Sequence, residues 1–131
     1  MELRVIIAGS REFNNYELLK EKCIDRIAAH NPNALLVRII SGTARGADQF
    51  GEQFAKEENY LLSRFPADWD KYGKSAGYRR NVEMAKFAIE DQNKGLLIAF
   101  WDGKSSGTKW MIDIANQYGL DVEVVRYVDG E

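Results

Sequence analysis

Apolar residues gather in five short runs, near 3–8, 36–41, 61–65, 95–101 and 121–127. Leu3-Arg4-Val5-Ile6-Ile7-Ala8 and Leu96-Leu97-Ile98-Ala99-Phe100 are nearly continuous rather than alternating, which is the signature of strands covered on both faces. Four longer segments lie between the runs, near 16–30, 45–58, 77–91 and 107–118. Their apolar residues recur at helical spacing: Leu19, Cys23 and Ile27 in the first, and Ala47, Phe50 and Phe54 in the second. The order β-α-β-α-β-α-β-α-β predicts a parallel sheet with helices on both sides. Right-handed crossovers make this a Rossmann-like three-layer α/β/α domain, with five parallel strands in the order 3-2-1-4-5. The switch point falls between the first and fourth strands, and ligands in such sheets sit at the strands' carboxyl ends beside it.

Element boundaries carry their own chemistry. Asn14 or Asn15 can cap the first helix, Asn31-Pro32 ends it, and Gly119 stops the last helix before the fifth strand. There is no internal repeat or long linker, so the 131 residues read as one domain, 1–131. The one long irregular stretch, 66–76, follows the third strand and therefore lies on the carboxyl rim.

Bulk composition narrows the classes. Lys and Arg number 18 against 20 Asp and Glu, for a net charge of −2, so non-specific nucleic-acid binding is not favoured. No apolar run approaches the roughly 20 residues of a membrane span. Strand-type residues begin at Leu3 with no basic-plus-apolar leader before them, and a reducing cytoplasm is expected. Cys23 is the single cysteine and reads as a core thiol; His30 is the single histidine and reads as a helix-end residue. These two leave no transition-metal ligand set and no Ser-His-acid arrangement, and no cofactor is expected. The run Glu52, Lys56, Glu57 and Glu58 reads as a solvated helix face. Trp110 and Tyr118 on the last helix could pack in the core or form a homo-oligomer interface.

Four segments converge on the carboxyl rim. Gly9-Ser10-Arg11 follows the first strand, offering a tight turn, a hydroxyl and a guanidinium fork. Ser41-Gly42-Thr43-Ala44-Arg45-Gly46-Ala47-Asp48 runs from strand through a Gly-rich turn into a helix, placing free N–H groups where anions bind. Asp48 can accept from a ribose hydroxyl or cap the helix locally. The segment from Trp69 to Asn81 sets Trp69 and Tyr72 beside Lys71, Lys74, Arg79 and Arg80, which suits a base and its phosphates. Trp101-Asp102-Gly103 leads into Ser106-Gly107-Thr108 at a second helix N-terminus. Neither the six-residue dinucleotide fingerprint nor a P-loop Gly-Lys-Ser/Thr is present, so a dehydrogenase or kinase is not expected.

Together, Gly9-Ser10-Arg11, Ser41-Gly42-x-Ala44-Arg45-Gly46-Ala47-Asp48, Trp69-x-x-x-Gly73-x-x-Ala76-Gly77-x-x-Arg80-Asn81-x-x-Met84 and Trp101-Asp102-Gly103-x-Ser105-x-Gly107-Thr108 resemble the YspA-like branch of the SLOG superfamily. That superfamily is named for the Smf/DprA and LOG proteins. The resemblance implies a Rossmann-like fold and a nucleotide or nucleotide-derived ligand such as ADP-ribose, sensed or processed. The wider superfamily includes phosphoribohydrolases, which remove the base from a nucleoside monophosphate, and a DNA-binding competence protein. The phosphoribohydrolases end their second motif with Gly-Gly-x-Gly-Thr-x-x-Glu. Here Met111 stands where that catalytic Glu would be, and Lys104-Ser105 replaces the glycine pair.

The expected function is therefore binding of a nucleotide-type small molecule. Backbone N–H groups of 42–46 and 106–108 would hold phosphates, and Arg45, Arg79 or Arg80 would neutralise them. Trp69 or Trp101 would stack on the base, and Asp48 would take ribose hydroxyls. The alternative is an N-glycosidic hydrolase with Asp102 or Asp48 as its carboxylate. Single-stranded nucleic-acid binding through Lys71 to Arg80 is a third reading.

Overall fold

A computed structural model describes residues 1–128; the last three positions of the expected domain lie outside them. The elements are β1 (Glu2–Gly9), α1 (Tyr16–His30), β2 (Leu36–Ser41), α2 (Ala47–Glu57), β3 (Leu61–Arg64), α3 (Trp69–Tyr72), α4 (Ala76–Ile89), β4 (Lys94–Trp101), α5 (Ser106–Gln117) and β5 (Asp121–Arg126). Short 3-10 turns, Gly73–Ser75 and Glu90–Gln92, flank α4. The strands form one parallel sheet in the order β3-β2-β1-β4-β5, which is the expected Rossmann-like topology. Val5 on β1 pairs with Ile39 of β2 on one side and Leu96 of β4 on the other.

The near-continuous apolar runs follow from two separate cores. Leu3, Val5 and Ile7 point to one face of the sheet, where Leu19, Cys23 and Ile27 of α1 and Ala47, Phe54 and Ala55 of α2 cover them. Ile6 and Ala8 point to the other face, against Met84, Ala85 and Ala88 of α4 and Met111, Ile114 and Ala115 of α5. Alternating side chains on a strand buried on both faces must all be apolar. Phe50, expected in the core, is only partly buried against it.

Local signals set most ends. Asn15 caps α1 by accepting from Leu18 N–H at 3.0 Å. Asn31 follows α1, and its amide exchanges two hydrogen bonds with the Leu35 backbone. Gly119, at φ 81°, follows α5. α2 begins at Ala47 rather than near 45, because Gly46 at φ 80° is outside helical space. The stretch 66–76 is not irregular throughout: it holds α3 and the 3-10 turn Gly73–Ser75. Asp68 starts α3 by accepting from Lys71 N–H at 3.1 Å. α3 buries no residue, so no apolar periodicity marks it. His30 lies at the opposite end of the sheet from the rim, 2.7 Å from Glu123 and 3.3 Å from Asp121.

Candidate functional site

At the carboxyl ends of β1 and β4 the chain departs to opposite faces, β1 toward α1 and β4 toward α5. A cleft of about 420 Å³ opens there. Gly9 closes β1 where a Cβ would stand 2.5 Å from the Phe100 carbonyl and 2.8 Å from Ala47 Cβ. Only glycine lets strand, strand and helix start approach so closely. Ser10 follows, 3% exposed, its N–H bonded to Phe100 O at 3.2 Å.

The far wall is the start of α5. Asp102 Oδ1 accepts from the N–H groups of Lys104 and Ser105, each at 2.8 Å. The Ser105 hydroxyl bridges Asp102 Oδ2 at 3.1 Å and Ser10 Oγ at 2.9 Å. The Ser105 and Lys104 backbone bonds hold the Asp102 carboxyl below its ordinary range, so it stays ionised and organises its own turn. Lys109 N–H bonds back to Ser105 O at 3.2 Å. The N–H groups of Ser106, Gly107 and Thr108 come before that first helical bond and have no helical acceptor, which makes this helix start an anion-seeking end. All three residues line the cleft.

The third wall joins the turn before α2 to α4. Gly46 brings its backbone to where a Cβ would stand 2.5 Å from Ser10 O and 2.6 Å from Arg11 O. Thr43 sits at φ 65°, a costly region for a β-branched residue. Its N–H donates to Ser41 Oγ at 3.0 Å, and Ser41 donates to Glu52 Oε2 at 2.6 Å. Glu52 also meets Arg64 at 3.2 Å; it is a brace for this turn rather than part of a solvated face. Asp48 is 6% exposed and accepts from Ala44 N–H at 3.2 Å. Burial pushes its carboxyl up to about 6, against the Ala44 bond and the charge of Arg80. Arg80 donates through Nη1 to the Gly42 carbonyl and through Nε to Asn81 Oδ1 at 2.9 Å. Burial pulls its guanidinium below the ordinary value. A Cβ on Gly42 would stand 2.8 Å from both Arg80 Nη1 and Asp48 Oδ2, so these opposite charges converge on one bare backbone point.

Trp69 closes the mouth. It is 50% exposed, and its ring lies over Gly77, 3.4 Å from where a Cβ would be. Trp110 also lines the cleft and makes an edge-on contact with Tyr78 at 6.0 Å.

The sequence model of the YspA, cpYpsA-related SLOG family matches residues 3–72, just over half of the chain. The chain belongs to this family. The Gene 61 protein of Mycobacterium phage D29 is 31% identical over 124 residues, covering 91% of this chain and 93% of that protein. A stretch of the mitochondrial presequence protease of Candida albicans is 30% identical over 89 residues, 66% of this chain but 8% of that protein. No solved structure matches the chain.

In this SLOG-family chain, eleven of the residues expected at the site line the cleft: Gly9, Ser10, Arg11, Asp48, Trp69, Arg80, Asn81, Asp102, Ser106, Gly107 and Thr108. Gly42, Thr43 and Arg45 border an adjoining hollow instead. Ser41, Gly46, Gly103, Trp101 and Arg79 line neither. Trp101 donates its indole N–H to Ser105 O at 3.1 Å and carries Arg126 over its ring at 5.1 Å, so it props the turn. Arg79 lies over Tyr72 at 4.5 Å and bonds Ser75 Oγ at 3.1 Å. Cleft-lining residues outside the expected site set include Glu12, Ser105, Trp110 and Met111; Ser105 and Met111 fall in the motif that carries the family resemblance, and Glu12 and Trp110 are not expected at the site. Helical phase marks two of them: Met111 and Trp110 fall within a turn of Thr108. Met111 offers the cleft no ionisable group. Among the described residues no His, Cys, Asp or Glu cluster could hold a metal ion, and no helix is long and apolar enough to cross a membrane.

Proposed function

We propose that this domain binds a nucleotide or nucleotide-derived ligand of the ADP-ribose type at the carboxyl rim. The observation that carries the reading is convergence. The Ser10 hydroxyl, the start of α5 and the Arg80 guanidinium border one cleft, with the Trp69 ring at its lip. A phosphate would sit on the N–H groups of 106–108 and on Ser10. Arg80 would balance its charge, Trp69 would stack on the base, and Asp48 would take ribose hydroxyls. Native mass spectrometry with AMP, ADP, NAD and ADP-ribose tests this. One intact nucleotide per chain is expected; no retention of any of the four would sink the reading.

A second reading, cleavage of the N-glycosidic bond, is favoured by Asp48. It is a buried carboxyl on the cleft wall whose pKa of about 6 suits proton transfer near neutrality. Asp102 fits that work less well, because its lowered pKa leaves no proton to give. Free base in the supernatant, lost in Asp48→Asn while nucleotide binding persists, would establish the hydrolase.

A further inference from the structure

We propose that the ligand carries a second anionic group and that the basic hollow beside the cleft receives it. The proposal rests on the nucleotide reading above. A cavity of about 460 Å³ adjoins the cleft, and Arg11, Ala44, Trp69 and Arg80 line both. The charged side chains that line this hollow are three arginines, Arg11, Arg45 and Arg80; the nearby carboxylates, Glu12 on Arg45 and Asp48 beside Arg80 and Arg11, stand outside its lining. The cleft has the opposite balance: Arg11 and Arg80 face Glu12, Asp48 and Asp102. Glu12 and Asp48 offset part of the charge of the three guanidiniums, and an anion in the concavity would offset the rest. A phosphoryl or carboxylate group matches the forked, charged donors of such a wall most closely.

The donors are also available. Among the described residues Arg11 makes no hydrogen bond or ion pair. Arg45 is paired with Glu12, but both side chains are mostly exposed, at 67% and 75%, and such a rim pair exchanges readily for a better anion. Arg80 uses Nε and Nη1 on protein oxygens, which leaves Nη2. Arg45 lines the hollow and not the cleft, so a single phosphate at the start of α5 does not engage it. A mononucleotide would leave the hollow empty. The ligand class is therefore a nucleotide with two anionic groups, carried either as a diphosphate or on separate arms.

Calorimetric titration with AMP, ADP and adenosine 3′,5′-bisphosphate, at low and at physiological salt, tests the proposal. At least one doubly phosphorylated probe should bind roughly tenfold or more tighter than AMP, with the gain shrinking as salt rises. ADP gaining identifies adjacent groups; the bisphosphate gaining identifies separate arms. The ratio of affinities should fall to near unity in Arg45→Ala and be partly restored in Arg45→Lys, which keeps the charge without the fork. Glu12→Gln, which frees Arg45, should enlarge it. If AMP binds but neither probe gains, or the gain survives Arg45→Ala, the inference is overturned and the nucleotide reading stands. If none of the three binds, both are overturned.

Discussion

Two carboxyls are displaced in opposite directions, and each makes a prediction of opposite sign. Asp48, buried beside α4, titrates near 6 instead of 3.8. The stability tied to its proton is present below the unfolded value and is lost as pH rises through about 6. Asp48→Asn keeps an acceptor for Ala44 N–H and has no charge to bury. It should exceed the parent by roughly 3 kcal/mol at about pH 8, a margin that shrinks as pH falls from 6 toward 4. Urea denaturation at several pH values checks this; an Asn variant no more stable at alkaline pH would refute the buried-charge account. Glu2 is held down near 2, first by Arg38 and then by Arg4, with Oε1 2.9 Å from Arg38 Nε and 2.8 Å from Arg4 Nε. Its contribution is present above the unfolded value of 4.5 and is lost as pH falls through about 2. Glu2→Gln should therefore lower stability by a constant amount at every pH above about 4.5 and flatten the acid limb of the stability curve.

At the scale of the element, helix starts and α3 do different work. The turn before α2 is held by backbone packed on backbone, so small additions are felt. Gly46→Ala meets two carbonyl oxygens and a positive φ; it should cost about 2 to 3 kcal/mol and weaken nucleotide binding as the turn moves off Ser10 and Arg11. No residue of α3 is fully buried, but the half-exposed Trp69 ring rests on Gly77. Trp69→Ala should thus cost about 1 to 2 kcal/mol of stability while cutting nucleotide affinity. A Trp69→Ala variant that melts early yet binds normally would make Trp69 a packing residue and remove it from the site.

For the whole molecule, stability sits in the centre of the sheet and recognition at one end of it. Leu97 is fully buried in β4, whereas Leu61 on the short edge strand β3 is 43% exposed. Leu97→Ala should cost about 2 to 5 kcal/mol, and Leu61→Ala about 0.5 kcal/mol or less, both by chemical denaturation. The central strands can be this apolar because helices cover both faces. At the carboxyl ends of β1 and β4 the two helix layers part and leave polar turns facing each other.

The layers were legible in the residues themselves, because each rests on a local or periodic signal. Leu3 to Ala8 and Leu96 to Phe100 lack alternation, Leu19, Cys23 and Ile27 keep helical spacing, and Asn15 caps its helix; crossover handedness only narrows the strand orders, and 3-2-1-4-5 is the Rossmann-like choice among them. The Gly-rich turns were legible for the same reason, since glycine is needed wherever backbone meets backbone. The assignment of charges was not. Arg79 and Arg80 are neighbours of identical chemistry, yet Arg80 shares a helix face with buried Ala76 and Met84 and reaches Gly42, while Arg79 turns out to Tyr72. Asp48 and Asp102 each follow a strand by a short turn, yet burial under the turn before α2 and the Arg80 side chain strips water from one, and two backbone N–H groups hold the ionised form of the other. The partners of Asp102 lie two and three residues on, within its own turn, whereas Arg80 meets Gly42 from 38 residues away; burial and contacts of that second kind are in no short window of sequence.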